Sequence, residues 1–503
     1  MSDNAPGFRL RGSDRQPVQN KLNIEQAFQY ALSAHQAGRI GEAEMVYGRV
    51  LAALPGHVGA LHYLGVCRLQ QRDYAGALTH MDAALAQRPD YVEAHSNRGN
   101  VLQAMGRHEE ALASFDRALA CQPGAADAWF NRSNALKELG RFDEALTSVD
   151  RAIALQPSFA QAHCNHGNLC QVLGRFAQAL ESFERAAALR PDYAEAQWNS
   201  AYIHLLLGDL AKGLPLLEWR WRARNRSADD RHQDIPLWLG EADPAGKTIL
   251  LYAEQGYGDT LQFCRYAPLL AARGAKVVLE VQPSLKSLLA SLAGSPAVFA
   301  AGERLPAVDY RCPLLSLPLA MRTGAENIPG GVPYLGVAAA WQAKLGARRA
   351  RLRIGLAWSG SVAHDNDRNR SLSLAMLMTA FDHADVECFS LQKDVRADDR
   401  AALEADGRIR HFGAELRDFA DTAALVAAMD LVISVDTSVA HLAGALAKPV
   451  WLLLPFPPDW RWRLEREDSP WYPTARLFRQ PHHGDWATPL RRVADALPSA
   501  APS

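Results

Sequence analysis

The stretch VEAHSNRGNVLQAMGRHEEALASFDRALACQPGA, Val92–Ala125, decides how the first half of this chain is read. It holds one helical pattern, a turn at Gly106-Arg107, a second helical pattern and a closing proline. Shifted by 34 residues either way, it falls on near-copies of itself. Pro55, Pro89, Pro123, Pro157 and Pro191 keep that spacing, and so do Ala43, Ala77, Ala111, Ala145 and Ala179. A glycine column runs Gly38, Gly106, Gly140, Gly174, Gly208, with Arg72 in the remaining place. Columns in strict register predict a repeated helix–turn–helix hairpin. Small residues such as Gly99 and Ala111 let the two helices approach closely, and Phe115, Ala118 and Leu119 supply a buried stripe at helical spacing.

The unit resembles the tetratricopeptide repeat, with six copies at 24–57, 58–91, 92–125, 126–159, 160–193 and 194–227. The sixth is degenerate, with Gly213 in the alanine column and Asn225 in the proline column. Such hairpins stack into an α-solenoid whose groove binds partners, and terminal copies deviate because one face meets something other than a sister repeat. Asn97, Asn131, Asn165 and Asn199 form a further column, with Asn100, Asn134 and Asn168 three residues later. Carboxamides donate and accept, so a ladder of them can hold the backbone of an extended acceptor protein. Equally, they can bond neighbouring helices and only hold the stack together. The ladder is similar to that of the protein O-GlcNAc transferases, though Arg98, Arg132 and His166 stand where that family usually has an apolar residue.

A chain of 503 residues exceeds one domain. Its 54 basic and 55 acidic residues leave a net charge of −1, which argues against a nucleic-acid partner. No run approaches the roughly 18 apolar residues of a transmembrane segment, and Met1–Asn20 lacks the apolar stretch of a secretory signal. A cytoplasmic protein with a flexible N-terminus over 1–23 is expected. Seven cysteines form no CxxC and no zinc-finger spacing, so no metal site and no disulfide framework is expected.

Beyond about Arg226 the period vanishes, and short apolar runs alternate with helical patterns. The expected strands are Lys247–Ala253, Lys276–Val281 and Val308–Cys312, then Leu352–Trp358, Val386–Leu391, Ile409–Phe412, Leu431–Val435 and Val450–Leu453. This is the pattern of parallel sheets covered on both faces. Two series divided near Gly336–Arg349 predict two Rossmann-like lobes with a cleft between, over 228–340 and 341–503. Ligands in such sheets bind at the carboxyl ends of strands, so the residues after each strand are the candidates.

After the first strand comes Glu254-Gln255-Gly256-Tyr257-Gly258-Asp259-Thr260. Gly256 and Gly258 allow a tight turn near a ligand, but no third glycine completes a dinucleotide fingerprint. Asp259 is either a helix N-cap or a general base. After Leu431–Val435 come Asp436, Thr437, Ser438 and His441. A helix opening at Thr437-Ser438 offers free N–H groups to a diphosphate, with His441 one turn deeper. Asp436 accepts from sugar hydroxyls or caps the helix; the alternative for the set is a capped helix with a packed histidine. Ser359-Gly360 and the loop His364–Ser371 follow Leu352–Trp358, where Arg368 and Arg370 are phosphate candidates. Gln392-Lys393 follows Val386–Leu391 as a base or phosphate contact, and Asp421-Thr422 repeats the acid–hydroxyl helix start.

GYGDT, GLAWSG, RSLSL, FSLQKD, DFADTAALVAAMDLVISVDTSVAHLAGAL and PVWLLLP together resemble the carboxyl half of bacterial tetratricopeptide-repeat glycosyltransferases. That half is similar to the heptosyltransferase (family 9) enzymes and, more distantly, to O-GlcNAc transferase. The resemblance covers about Ile249–Gln480 and implies a GT-B fold, a nucleotide-diphospho-sugar donor in the carboxyl lobe and no metal. It implies Asp259 as the base and Asp436, Thr437 and His441 as the donor motif. The family's phosphate-binding lysine has no certain counterpart, so Arg370 or Lys393 takes that part. The expected activity is metal-independent, inverting transfer of a sugar to a protein held in the groove. A glycan or lipopolysaccharide acceptor is the second reading, and a noncatalytic repeat scaffold is the third.

Overall fold

The computed structural model describes residues 23–223, 231–337, 341–364, 366–382 and 384–500. The N-terminal residues 1–22, the end of the sixth repeat at 224–227, the lobe boundaries at 228 and 340 and Asp365 lie outside them. The chain divides into two compact units, one ending at Asp192 and one beginning at Tyr193.

The first unit is five hairpins: α1(Ile24–Gln36) with α2(Ile40–Ala53), α3(Val58–Gln70) with α4(Tyr74–Gln87), α5(Val92–Ala104) with α6(His108–Cys121), α7(Ala126–Glu138) with α8(Phe142–Leu155), and α9(Ala160–Val172) with α10(Phe176–Leu189). The turn between paired helices needs one residue of left-handed backbone, which is why glycine recurs there. Gly106 has φ 73°, and Arg72, the exception, is held in the same region at φ 62°. Close approach inside each pair also follows the sequence. A Cβ on Gly99 would lie 2.4 Å from the Phe115 ring, so Phe115 fills the space the missing side chain leaves. Phe115, Ala118 and Leu119 are buried as expected.

Arg98, Arg132 and His166 explain themselves structurally. Arg98 donates to Asp82 at 2.6 Å and to Ser114 at 2.7 Å. Arg132 does the same to Asp116 at 2.6 Å and Ser148 at 2.7 Å. His166 bonds Ser182 at 2.7 Å and lies 3.3 Å from Asp150. Each side chain therefore clasps the second helix of the preceding hairpin and the second helix of its own. Arg132→Ala removes two charge-assisted bonds and a packed aliphatic stem, and we expect it to cost about 1–2 kcal/mol in denaturant unfolding of the repeats. No change in midpoint would reduce the clasp to a surface pair.

The second unit begins with the sixth hairpin, α11(Ala194–Leu207) and α12(Leu210–Leu217), closed by a 3₁₀ turn over Glu218–Trp221. Two parallel sheets follow. The first has β1(Thr248–Tyr252), β2(Lys276–Val281), β3(Ala297–Ala300) and β4(Tyr310–Pro313) in the order β3-β2-β1-β4. The second has β5(Leu352–Ala357), β6(Val386–Ser390), β7(Ile409–His411), β8(Leu431–Val435), β9(Val450–Leu454) and β10(Ala475–Arg479) in the order β10-β9-β8-β5-β6-β7. The central strands β5 and β8 are buried along their whole length, as near-continuous apolar runs require. β3 and β10 were not legible as strands. Both are edge strands, and β10 reads ARLFR, with Arg476 exposed in its middle.

Candidate functional site

The helices that follow β1 and β8 pack on each other. Beyond β1 the chain turns at Gly256, which caps α13(Tyr257–Phe263), so Asp259 is the third residue of the helix and not its cap. Beyond β8, Thr437 caps the helix Ser438–Ala445 without any bond from its own hydroxyl to that helix's backbone. Its hydroxyl instead meets Ser434 at 3.2 Å. A Cβ on Gly258 would lie 2.8 Å from His441 Cδ2, so this glycine makes room for the histidine of the other lobe and not for a ligand. Gly256 is exposed at the mouth of the turn.

Between the lobes lies Arg461, which the sequence reading did not single out. It is buried, it is ion-paired with Asp259, and it reaches Asp459 at 3.0 Å and Gln262 at 2.5 Å. Its guanidinium also stacks over Trp460 at 4.7 Å. Burial raises the Asp259 carboxyl above its usual range, the charge of Arg461 opposes the rise, and Asp459 adds to it. Asp436 is pushed up to about 7 by burial and by Asp459. His441 is held well below its usual value by burial and by Arg461, Arg265 and Arg370, so it is a neutral imidazole at pH 7. Its Nδ1 meets the Tyr472 hydroxyl at 3.0 Å, its ring stacks on Trp462 at 5.4 Å, and Nε2 lies 3.9 Å from Asp436. The packed-histidine alternative thus describes its surroundings, while its position beside Asp436 keeps it at the strand end.

Arg370 joins the same group. Its Nη1 donates to the Asp436 carbonyl at 3.0 Å, and its Nε is buried without a hydrogen bond, 3.7 Å from the Asp367 carboxylate. Gly360 leaves it room, because a Cβ there would be 2.4 Å from Nη2. Ser359 and Gln392 are spent on each other: Gln392 Oε1 accepts from the Trp358 and Ser359 N–H groups at 2.8 and 3.0 Å, and its Nε2 donates to the Ser359 hydroxyl at 3.0 Å. They tie the ends of β5 and β6 together. Lys393 is exposed and donates to the Arg417 carbonyl at 3.2 Å, and Arg368 points to solvent. Asp421 does not open its helix either, since Asp418 caps Phe419–Ala427 and Asp421 pairs with Arg417 at 3.0 Å.

The structure therefore gathers Asp259, Asp436, Thr437, Ser438, His441 and Arg370, and adds Asp459, Arg461, Trp462 and Tyr472. The missed residues Asp459, Arg461 and Trp462 lie in the segment that follows β9, five to eight positions beyond its end. A second clamp crosses the lobes nearby. Arg265 donates to the carbonyls of Trp471 at 2.7 Å and Pro329 at 2.9 Å and to the Tyr334 hydroxyl at 2.9 Å. Among the described residues, no group of three or more His, Cys, Asp or Glu side chains is disposed to hold a metal ion, and no helix is long and apolar enough to cross a membrane.

Of the asparagine column, Asn97 Nδ2 lies 2.8 Å from His62 Nε2, and Asn165 donates to Ser133 at 3.1 Å. Both bonds run to the first helix of the preceding hairpin, so these two side chains brace the stack. Asn131 and Asn199 are half-buried, and Asn199 belongs to the second unit.

Family models of the tetratricopeptide repeat match residues 96–163 and 164–225, and 34–100 and 68–123. The chain carries tetratricopeptide repeats. It is similar to the protein FlbA of Caulobacter vibrioides, 29% identical over 293 residues that make up 53% of this chain and 48% of FlbA. It thus spans about half the length of that relative. Similar solved structures include MamA from Desulfovibrio magneticus RS-1, 19% identical, covering 34% of this chain and 96% of that one, with a TM-score of 0.32. Another is YrrB, described as a TPR protein with an unusual peptide-binding site, 20% identical, covering 36% and 92%, with a TM-score of 0.31.

Proposed function

We propose that this protein is a metal-independent, inverting glycosyltransferase of the GT-B type, moving a sugar from a nucleotide-diphospho-sugar to a protein bound by its repeats. The observation that supports this reading most is the packing of α13, which carries Asp259, on the helix that opens at Thr437-Ser438, with Gly258 against His441. In the proposed step, Asp259 takes the proton of an acceptor hydroxyl, whose oxygen bonds to the anomeric carbon. The bond from that carbon to the diphosphate oxygen breaks on the opposite face, so one displacement inverts the configuration. The negative charge left on the diphosphate falls to the free N–H groups at Ser438 and Val439 and to Arg370, which takes the part of the family's lysine. Arg370 suits that part better than Lys393, because only Arg370 touches the Asp436 loop.

Nucleotide release from a panel of nucleotide sugars, with chelator present throughout, tests the reading. Release above the rate without protein supports it; none from any donor, or release only after adding Mg²⁺ or Mn²⁺, overturns it. The groove carries the acceptor in this scheme through Asn97, Asn131, Asn165 and Asn199. Since Asn97 and Asn165 also brace the stack, their replacement is read against the stability of the repeats.

Donor affinity should depend on pH through Asp436. A carboxyl whose folded pKa is raised is neutral below that value and charged above it. Affinity for an intact nucleotide sugar, whose diphosphate does not titrate near neutrality, should therefore weaken by about tenfold as pH rises through about 7. Asp436→Asn should flatten that profile in calorimetry, and an equally steep profile in the variant would acquit Asp436. The same sign makes the free protein lose stability as pH climbs from about 4, where an unfolded aspartate ionises, to about 7.

A further inference from the structure

The sixth hairpin departs from its sisters at the positions where it touches the candidate site. Asn100, Asn134 and Asn168 occupy one column of the repeat, and 34 residues after Asn168 the column holds Tyr202. The Tyr202 hydroxyl donates to the Pro458 carbonyl at 3.0 Å, at the head of the loop that carries Asp459, Arg461 and Trp462. Burial raises the Tyr202 phenol well above its usual value, and Asp459 and Asp436 add to the rise, so the hydroxyl keeps its proton and remains a donor. Six residues further on, Gly208, which keeps the glycine column, lies against Arg463, whose Nη1 would be 2.9 Å from a Cβ added there.

The second helix of the hairpin deviates too. α12 is 8 residues long where α10 has 14, because Pro215 sits inside it and offers no N–H to continue the ladder. The chain then tightens into the 3₁₀ turn Glu218–Trp221, which delivers Arg220 to the end of β1. Arg220 is buried and holds Glu254 through two bonds of 3.1 and 3.0 Å. It also binds Glu218 at 2.7 Å and Ser316 at 2.7 Å. Glu254 is the first residue of the turn that ends in Asp259. One hairpin therefore grips both loops that supply the Asp259–Arg461 pair, one from each lobe.

We propose that the sixth hairpin is a bracket for the candidate site and not one more recognition unit, with Arg220 and Tyr202 as positioning residues that hold the Asp259 turn and the Asp459–Arg461 loop in register. Its consequence for turnover rests on the transferase reading; its mechanical part does not. The bracket makes the last repeat part of the catalytic body, so the boundary that matters functionally falls before α11.

The test uses the full chain with Tyr202→Phe, which keeps the ring and removes one bond, and with Arg220→Lys, which keeps the charge and removes the fork. Amide hydrogen exchange is read by segment. Tyr202→Phe should speed exchange over 456–463 about fivefold, and Arg220→Lys should do the same over 254–260, with 24–190 unchanged in both. With a donor that supports nucleotide release, kcat should fall about tenfold while the donor KM stays within about twofold, since position and not donor contact is lost. Unchanged exchange in both loops overturns the bracket, as does faster exchange with kcat intact. Faster exchange in a protein whose wild type releases nucleotide from no donor upholds the bracket and removes the transferase reading.

Discussion

Asp259→Asn is expected to lower nucleotide release by about 10²- to 10⁴-fold, the usual cost of removing a general base. Asparagine matches the carboxylate in shape, and Arg461 keeps Asp459 and Gln262, so the lobe junction stays joined. Donor affinity, measured by calorimetry, should change little because Asp259 lies on the acceptor side of the proposed step. Burial works in favour of this role, since a carboxyl raised above its usual range holds an abstracted proton better. Retained turnover in the variant would leave Asp259 as a partner of Arg461 and nothing more.

Arg461→Met should be the most destabilising single change, at about 3–5 kcal/mol in denaturant unfolding at pH 7. It strands the part-buried carboxylates of Asp259 and Asp459, with Asp436 nearby. The loss should shrink on acidification. Without the guanidinium the aspartates rise further, and a raised carboxyl costs stability as pH climbs from its unfolded to its folded pKa. Adding Asp259→Asn to Arg461→Met should recover part of the loss, because one stranded charge is gone. Equal destabilisation at pH 4 and pH 7 would show that packing over Trp460 and Phe263, and not charge, is what Arg461 supplies.

What could be read from the sequence followed from periodicity. A strict 34-residue register specifies hairpins, and the first five repeats each hold a pair of helices of 13 and 14 residues, because each column answers one steric demand of the turn or the helix crossing; the sixth, with its second helix ending at Leu217, departs from them. The buried strands were legible for a similar reason: β5, β8 and β9 are buried along their length and, apart from Arg353 and Ser434, carry no polar side chain. The edge strands β3 and β10 lacked that mark. For the site, strand-end position picked out Asp259, Asp436 and Arg370, which the structure brings together, and also Gly258, Ser359 and Gln392, which it places in contacts of another kind. Those three serve contacts between segments far apart in the chain, and a local motif carries no record of its distant partner. Arg461 was missed on the same ground: its meaning lies in Asp259, 202 residues away.

The clasp built on Arg98, Arg132 and His166 bears on how the length of the repeat array can change. Each clasp joins residues 16 positions before and 16 after its centre. Removing 92–125 would bring Asp82 to the same separation from Arg132, and removing 126–159 would bring Asp116 to it from His166. Loss or duplication of one whole unit, as unequal recombination between repeated DNA would produce, therefore leaves a complete set of clasps behind. A deletion inside a clasp that is not a whole number of units breaks it. Array length is in this sense an evolvable variable counted in whole units, and the reach of the groove can lengthen or shorten without a new interface having to be invented.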